Sequence, residues 1–242
     1  MAAKVLQINL NHSWGAQDLI RHHVLEFSID ICCISELHFV PAGDPSWYSS
    51  SNGLAALYWV PTRLRCSGVL VWVTNNFVAV RFGPVTMASV YISPSVSVAV
   101  YLNFLDDLRD LVLTTRGELL IYSDFNASSL SWGCWSANRH GELLKELISE
   151  LDLRLCNVDG SFTCVRARGS SVVDLTLTSP SCSSRLRSWH VLTGVVIIRP
   201  PVYHVLPGWP GWWFLLSGSP AWEALSALVP ERYGQGIIRR SD

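Results

Sequence analysis

Apolar and polar positions alternate between two periods along this chain. Residues 5–10 form a short apolar run broken only by Gln7 and Asn9, as in a buried strand that ends in polar residues. Residues 16–27 place Leu19, Ile20, Val24 and Phe27 at helical spacing. Residues 30–36 are a second apolar run that ends in Glu36. Strand, helix, strand is the opening of a layered α/β domain. A Pro-, Gly- and Ser-rich loop follows to residue 53. Apolar runs then recur at 54–60, 68–73, 77–82 and 85–92, separated by Asn75-Asn76 and Gly83-Pro84, and predict successive antiparallel strands. Residues 97–113 predict a helix with Val100, Phe104, Leu108 and Val112 inward. Further strands are expected at 118–122, 153–157, 171–177 and 188–192, with a helix over 139–151.

After Gly194 the pattern changes. Residues 195–217 are crowded with Pro, Gly and Trp and fit neither period. The expected division is therefore a domain over 1–194 and a divergent segment over 195–242, with a short helix at 221–228 and a tail from 234.

Composition sharpens this picture. Hydrophobic residues make up 49% of the 242 and charged residues 15%, enough apolar material for a sizeable core. The net charge of -1 excludes a globally basic nucleic-acid binder. Of the 18 Lys and Arg residues only Lys4 and Lys145 are lysine. None of the seven cysteines forms a Cys-x-x-Cys pair, and Cys32, Cys33 and Cys156 lie in apolar runs. That predicts reduced, buried thiols rather than disulfides or a zinc site. With no signal peptide ahead of the first strand and no run of membrane-spanning length, a nuclear or cytoplasmic protein without a membrane partner is expected.

The chemistry-bearing residues lie at the ends of apolar strands: Asn9, Glu36, Asp124 with Asn126, and Asp174. Layered sheets gather strand ends on one rim, where ligands bind. Hard oxygen ligands there would hold Mg²⁺ or Mn²⁺. A divalent ion beside a carboxylate that activates water is equipment for phosphodiester cleavage. Taken singly, Asp124 and Asn126 also read as an Asx turn, Asn9 as a turn residue, Tyr91 as a packing residue and Asp174 as a buried structural aspartate. Trp14, Trp47, Trp132 and Trp135 are candidates for stacking on bases or for packing.

Six stretches carry a resemblance. They are residues 6–12 (Leu-Gln-Ile-Asn-Leu-Asn-His), 34–36 (Ile-Ser-Glu), 90–94 (Val-Tyr-Ile-Ser-Pro), 123–127 (Ser-Asp-Phe-Asn-Ala), Trp132-Gly133, and 173–176 (Val-Asp-Leu-Thr). In this order, over about residues 4–192, the chain resembles the endonuclease/exonuclease/phosphatase superfamily, and within it the apurinic-like endonuclease domain of insect non-LTR retrotransposons. The resemblance implies a four-layered α/β sandwich, two packed mixed sheets flanked by helices. It implies Glu36 as the main metal ligand with Asn9 nearby, and Asp124 to orient or deprotonate water. Asn126 would hold the scissile phosphate, Tyr91 would contact phosphate, and Asp174 would support a histidine or the metal. The implied activity is Mg²⁺- or Mn²⁺-dependent nicking of DNA to leave a 3′-hydroxyl that primes reverse transcription. The implied protein acts as a monomer on DNA, alongside a reverse transcriptase region of the same polyprotein.

Three positions depart from the family pattern. Ser123 replaces a glycine, Ser95 replaces an asparagine, and the Ser-Asp-His that supplies the family's catalytic histidine does not occur. His204 is the one histidine after residue 194, and no aspartate precedes it to fix its tautomer. The sequence therefore predicts loss of the last core strand. It leaves open a catalytically inactive relic or nucleic-acid-binding scaffold, and, as a third reading, a phosphatase of the same superfamily.

Overall fold

The computed structural model describes residues 3–64, 66–157, 162–166, 169–192 and 202–206. The chain divides into two units, Met1–Gly211 and Trp212–Asp242, and every described residue belongs to the first. The helix expected at 221–228 and the tail lie outside the described residues.

In chain order the elements are β1 (Ala3–Asn9), α1 (Trp14–Glu26), β2 (Ile31–Ser35), β3 (Trp47–Ser49), β4 (Ala55–Trp59), β5 (Gly68–Val73), β6 (Phe77–Phe82) and β7 (Val85–Tyr91). Then come α2 (Val98–Thr114), β8 (Glu118–Asp124), a single 3₁₀ turn at Leu130–Trp132, α3 (Arg139–Glu150), β9 (Arg154–Leu155), β10 (Cys164–Arg166) and β11 (Gly169–Ser171). The series closes with β12 (Asp174–Thr178), α4 (Pro180–Ser183), β13 (Arg187–Val191) and β14 (Val202–Leu206).

Two six-stranded sheets result, in the orders β13-β14-β1-β2-β4-β3 and β5-β6-β7-β8-β12-β9, with β10-β11 as a separate hairpin. Each large sheet is mixed: β1 runs parallel to β2 and β7 parallel to β8, whereas the other pairs are antiparallel. The apolar residues sort into three clusters. One, with Ile20, Val24, Ile8 and Ile34, joins α1 to the first sheet. A second, with Val5, Ile31, Val80, Met87 and Leu120, fills the space between the sheets. The third, with Phe104, Leu108, Leu144, Ile121 and Leu177, seats α2 and α3 on the second sheet. The chain is thus two mixed sheets flanked by helices, as expected.

One part of that expectation is overturned. The last core strand is not lost: β14 lies between β13 and β1, antiparallel to both. Val202-Tyr203-His204-Val205-Leu206 is a β-rich run, but the Pro and Trp residues on either side obscure its period. The edge of β1 is therefore covered.

Smaller differences have plain causes. The α2 stripe is rotated by about one position: Tyr101, Phe104, Leu105, Leu108 and Leu111 are buried and Val100 is exposed. The strand expected at 171–177 splits, with Ser171 ending the hairpin and Asp174 opening β12. Among the described residues no cysteine is in a disulfide, and burial raises the Cys32 and Cys33 thiols far above their ordinary value, so both stay protonated.

Candidate active site

The two sheets are fastened to each other by polar side chains at one end of the interface. Gln7 and Asn9 alternate with apolar neighbours on β1 and face the second sheet. Gln7 Nε2 donates to the Ser123 carbonyl at 3.0 Å, and Thr176 Oγ1 donates to Gln7 Oε1 at 3.4 Å. Ser35 Oγ donates to the Val90 carbonyl and Ser89 Oγ to the Ile34 carbonyl. This end of the sandwich is held by hydrogen bonds where the other is held by apolar packing, so the strand ends carry polar groups that are already partnered.

Asn9 sits at the centre. Its Nδ2 donates to Glu36 Oε1 at 2.9 Å and to Asp124 Oδ2 at 2.6 Å, and its Oδ1 accepts the Asn11 N–H at 2.8 Å. One amide thus ties carboxylates from both sheets, and both of its donor hydrogens are used. The three residues are buried. Two carboxylates this close repel each other, and the donor that they share offsets part of that repulsion.

Register brings the others alongside. Tyr91 of β7 and Asp174 of β12 flank Asp124 of β8 directly, each one strand away. Asp174 and Tyr91 are both buried. Thr163 Oγ1 accepts the Val173 and Asp174 N–H groups and fixes the start of β12. Asn126 is half-buried; its Nδ2 donates to the Ile92 carbonyl at 3.0 Å, and its backbone N–H donates to Asp124 Oδ1 at 3.3 Å. That second bond is the Asx turn allowed by the sequence. The backbone does not stay extended there: Asn126 has φ 47°, so a turn, not strand alternation, brings its side chain to the rim.

A cluster of left-handed backbone marks the same place. Asn11 (φ 48°), His12 (φ 56°), Glu36 (φ 51°) and Asn126 (φ 47°) all adopt a conformation that costs L-residues free energy and gathers at functional sites. The strain has a geometric product. The β1 loop turns back so that the His12 N–H donates to the Glu36 carbonyl at 2.8 Å. His12 Nδ1 lies 3.2 Å from the Leu37 carbonyl, an acceptor, so Nδ1 carries the hydrogen. Nε2 then faces Glu36 Oε2 at 3.7 Å.

His12 lies within the first motif, residues 6–12, where the sequence alone assigns it no role. Its signal was the polar Asn-Leu-Asn-His end of an apolar strand. Gln7 was likewise missed, although its spacing of two from Asn9 puts both on one face. His204 is aligned with Val5, four residues along β1 from Asn9, which is about 13 Å at strand rise. It is not at this rim. Residues 193–201, where the family histidine was expected, lie outside the described residues.

The donor set fits a hard divalent ion. Mg²⁺ binds through one or two carboxylates and keeps several waters. Among the described residues no three of His, Cys, Asp and Glu gather into a cluster able to hold a metal by themselves. Glu36 at the rim, with the second lone pair of Asn9 Oδ1 beside it, suits an ion completed by water and phosphate.

Residues 85–195 match a family model described as endonuclease–reverse transcriptase. That match is a similarity of residues 85–195, the part of the chain from β7 through β13. Among solved structures its fold is similar to the endonuclease domain of TRAS1, a telomere-specific non-LTR retrotransposon, with TM-score 0.72 and 21% identity over 85% of this chain and 98% of that one. It is also similar to the AP endonuclease LMAP from Leishmania major (TM-score 0.65, 10% identity, 85% and 87% covered). A third similar fold is the 3′-5′ exonuclease NExo from Neisseria meningitidis (TM-score 0.63, 16% identity, 84% and 99% covered). No curated protein matches the chain. No helix among the described residues is long and apolar enough to cross a membrane.

The loop after the site depends on one glycine. A Cβ on Gly141 would sit 1.8 Å from the Ser128 carbonyl oxygen, which itself accepts the Asn138 N–H. Alanine in a helix ordinarily stabilises by about 1 kcal/mol relative to glycine. Here the overlap with backbone reverses the sign, and Gly141→Ala is expected to destabilise by ~1–3 kcal/mol. Thermal denaturation reads this as a lower Tm, and an unchanged or higher Tm would contradict the packing described.

Proposed function

We propose that this chain is a metal-dependent endonuclease that nicks DNA and leaves a 3′-hydroxyl from which a reverse transcriptase can prime. The observation that carries the reading is the single Asn9 amide bonded to both Glu36 and Asp124, with the His12 imidazole against the other Glu36 oxygen. Similarity to the TRAS1 endonuclease domain and to the endonuclease–reverse transcriptase family supports the choice of DNA, and of a reverse transcriptase region as the functional partner.

In this reading Glu36, with Asn9, holds Mg²⁺ or Mn²⁺, which when bound would neutralise charge on the scissile phosphate. Asp124 takes the proton of the attacking water, oriented by the Asn9 and Asn126 N–H donors. Asn126 keeps a second amide hydrogen and its carbonyl oxygen for a phosphate oxygen and a water. Tyr91 and Asp174 close the site on either side of Asp124. A His12 imidazolium, with a hydrogen on Nε2 as well as on Nδ1, would supply the charge-stabilising contact that the absent Ser-Asp-His gives elsewhere in the family. An imidazole at the rim favours an active enzyme over the relic.

The test is the chemistry of the product. Plasmid nicked by the protein in Mg²⁺ should be extended by a DNA polymerase without prior phosphatase treatment, and chelation by EDTA should abolish nicking. Ends that are extended only after phosphatase treatment, or nicking that persists in EDTA, would overturn the reading.

A further inference from the structure

The loop between Asn126 and α3 is anchored firmly and yet displays two large apolar side chains. Trp132 is buried, and its Nε1 donates to the Ala127 carbonyl at 3.2 Å. Cys134 is buried, and its Sγ–H donates to the Val172 carbonyl. Ser129 Oγ accepts the Ser131 N–H, and its carbonyl accepts those of Trp132 and Cys134. Gly133, at φ 86°, makes the tight reversal that these bonds require. Asn138 closes the base by accepting the Ser128 and Gly141 N–H groups. On this frame Leu130 is 70% exposed and Trp135 82% exposed.

A tryptophan in water on an anchored loop has lost backbone freedom without burying its ring, the arrangement of a contact made ready for a ligand. Its place indicates which ligand. Trp135 follows Cys134, which touches Val172, two residues before Asp174 and hence beside Asp124. At ~3.4 Å per nucleotide along a strand, that offset spans only a few nucleotides from a phosphate held at the rim. The apolar area is also too small for a protein partner. One tryptophan and one leucine offer a few hundred Å² at most, against about 800 Å² per side in a stable protein interface. A nucleobase is flat, apolar on its face and of matching size.

We propose that Trp135, backed by Leu130, is a base-stacking subsite that takes an unpaired or extruded nucleobase of the DNA strand next to the scissile phosphate. This rests on the nuclease reading for the position of that phosphate. The subsite acts in binding and positioning, so it should alter KM and leave kcat at saturation close to wild type.

The test uses the full chain and a short DNA duplex with a central unpaired stretch that carries 2-aminopurine. With the metal chelated, wild type should change the probe's fluorescence at one position of the stretch. Trp135→Phe should keep that change and Trp135→Ala should lose it. Affinity of Trp135→Ala for this DNA should fall about 5- to 100-fold, with a smaller loss on fully paired duplex. Equal affinity of wild type and Trp135→Ala would overturn the subsite. So would a change confined to self-association, which would make the patch a protein contact. Wild type that stacks the probe but never nicks plasmid in Mg²⁺ would refute the nuclease reading and leave the subsite standing. Nicking without any Trp135-dependent probe signal would do the reverse.

Discussion

Asp124→Asn is expected to lower the single-turnover nicking rate by about 10²- to 10⁴-fold, the range for removing a positioned general base. The substitution keeps the shape and removes the charge. It also upsets the donor count. Asp124 Oδ2 accepts from Asn9 Nδ2 at 2.6 Å and Oδ1 accepts from the Asn126 N–H at 3.3 Å. A carboxamide has one oxygen, so one of these donors would face an NH₂ group. Asp124 is buried, so one N–H donor left facing an NH₂ group is costly, and a stability loss of ~1–3 kcal/mol should accompany the rate loss. Rates and Tm measured on the same preparation separate the two effects. A variant that nicks within about tenfold of wild type would remove Asp124 from the role of base.

His12→Asn is expected to lower kcat by about 10²- to 10³-fold with little change in Tm. Asparagine is the appropriate replacement because residue 12 sits at φ 56°, a region that Asn tolerates and Ala does not. The side chain is about half exposed, so the core is left intact. What is lost is the imidazole 3.7 Å from Glu36, the group offered in place of the missing Ser-Asp-His. Circular dichroism of the variant should overlay that of wild type. A variant with wild-type kcat would show that His12 is a loop residue held by Leu37, and the charge-stabilising group would have to be sought elsewhere.

Much of the layered fold was legible, because its strands are apolar runs with polar ends and such runs are decided by local period. The α2 stripe was misplaced by a residue because both Val100 and Tyr101 satisfy helical spacing, and the larger ring won the core. Strand β14 was missed for a different reason. Five β-prone residues between Pro201 and Pro207 carry little local signal, and what makes them a strand is the free edges of β1 and β13, a tertiary fact.

The site shows the same division. Asn9, Glu36, Asp124 and Asp174 announced themselves as polar endings of apolar strands. How they connect did not, since Asn9 touches residues 27 and 115 positions away. His12 was illegible because its approach to Glu36 depends on two consecutive left-handed residues, Asn11 and His12, and neither is a glycine. Trp135 could be named as a candidate from sequence, but only the burial of Trp132 and Cys134 shows that it stands on a fixed frame.

The central claim is that the rim works as a nuclease without the family's usual histidine. Its most direct test is nicking of supercoiled plasmid in Mg²⁺ by wild type and by a Glu36→Ala, Asp124→Ala double variant, with circular dichroism on both. Nicking by wild type that the double variant abolishes is the predicted result. A folded wild type that does not nick, or a double variant that nicks as wild type does, would contradict it.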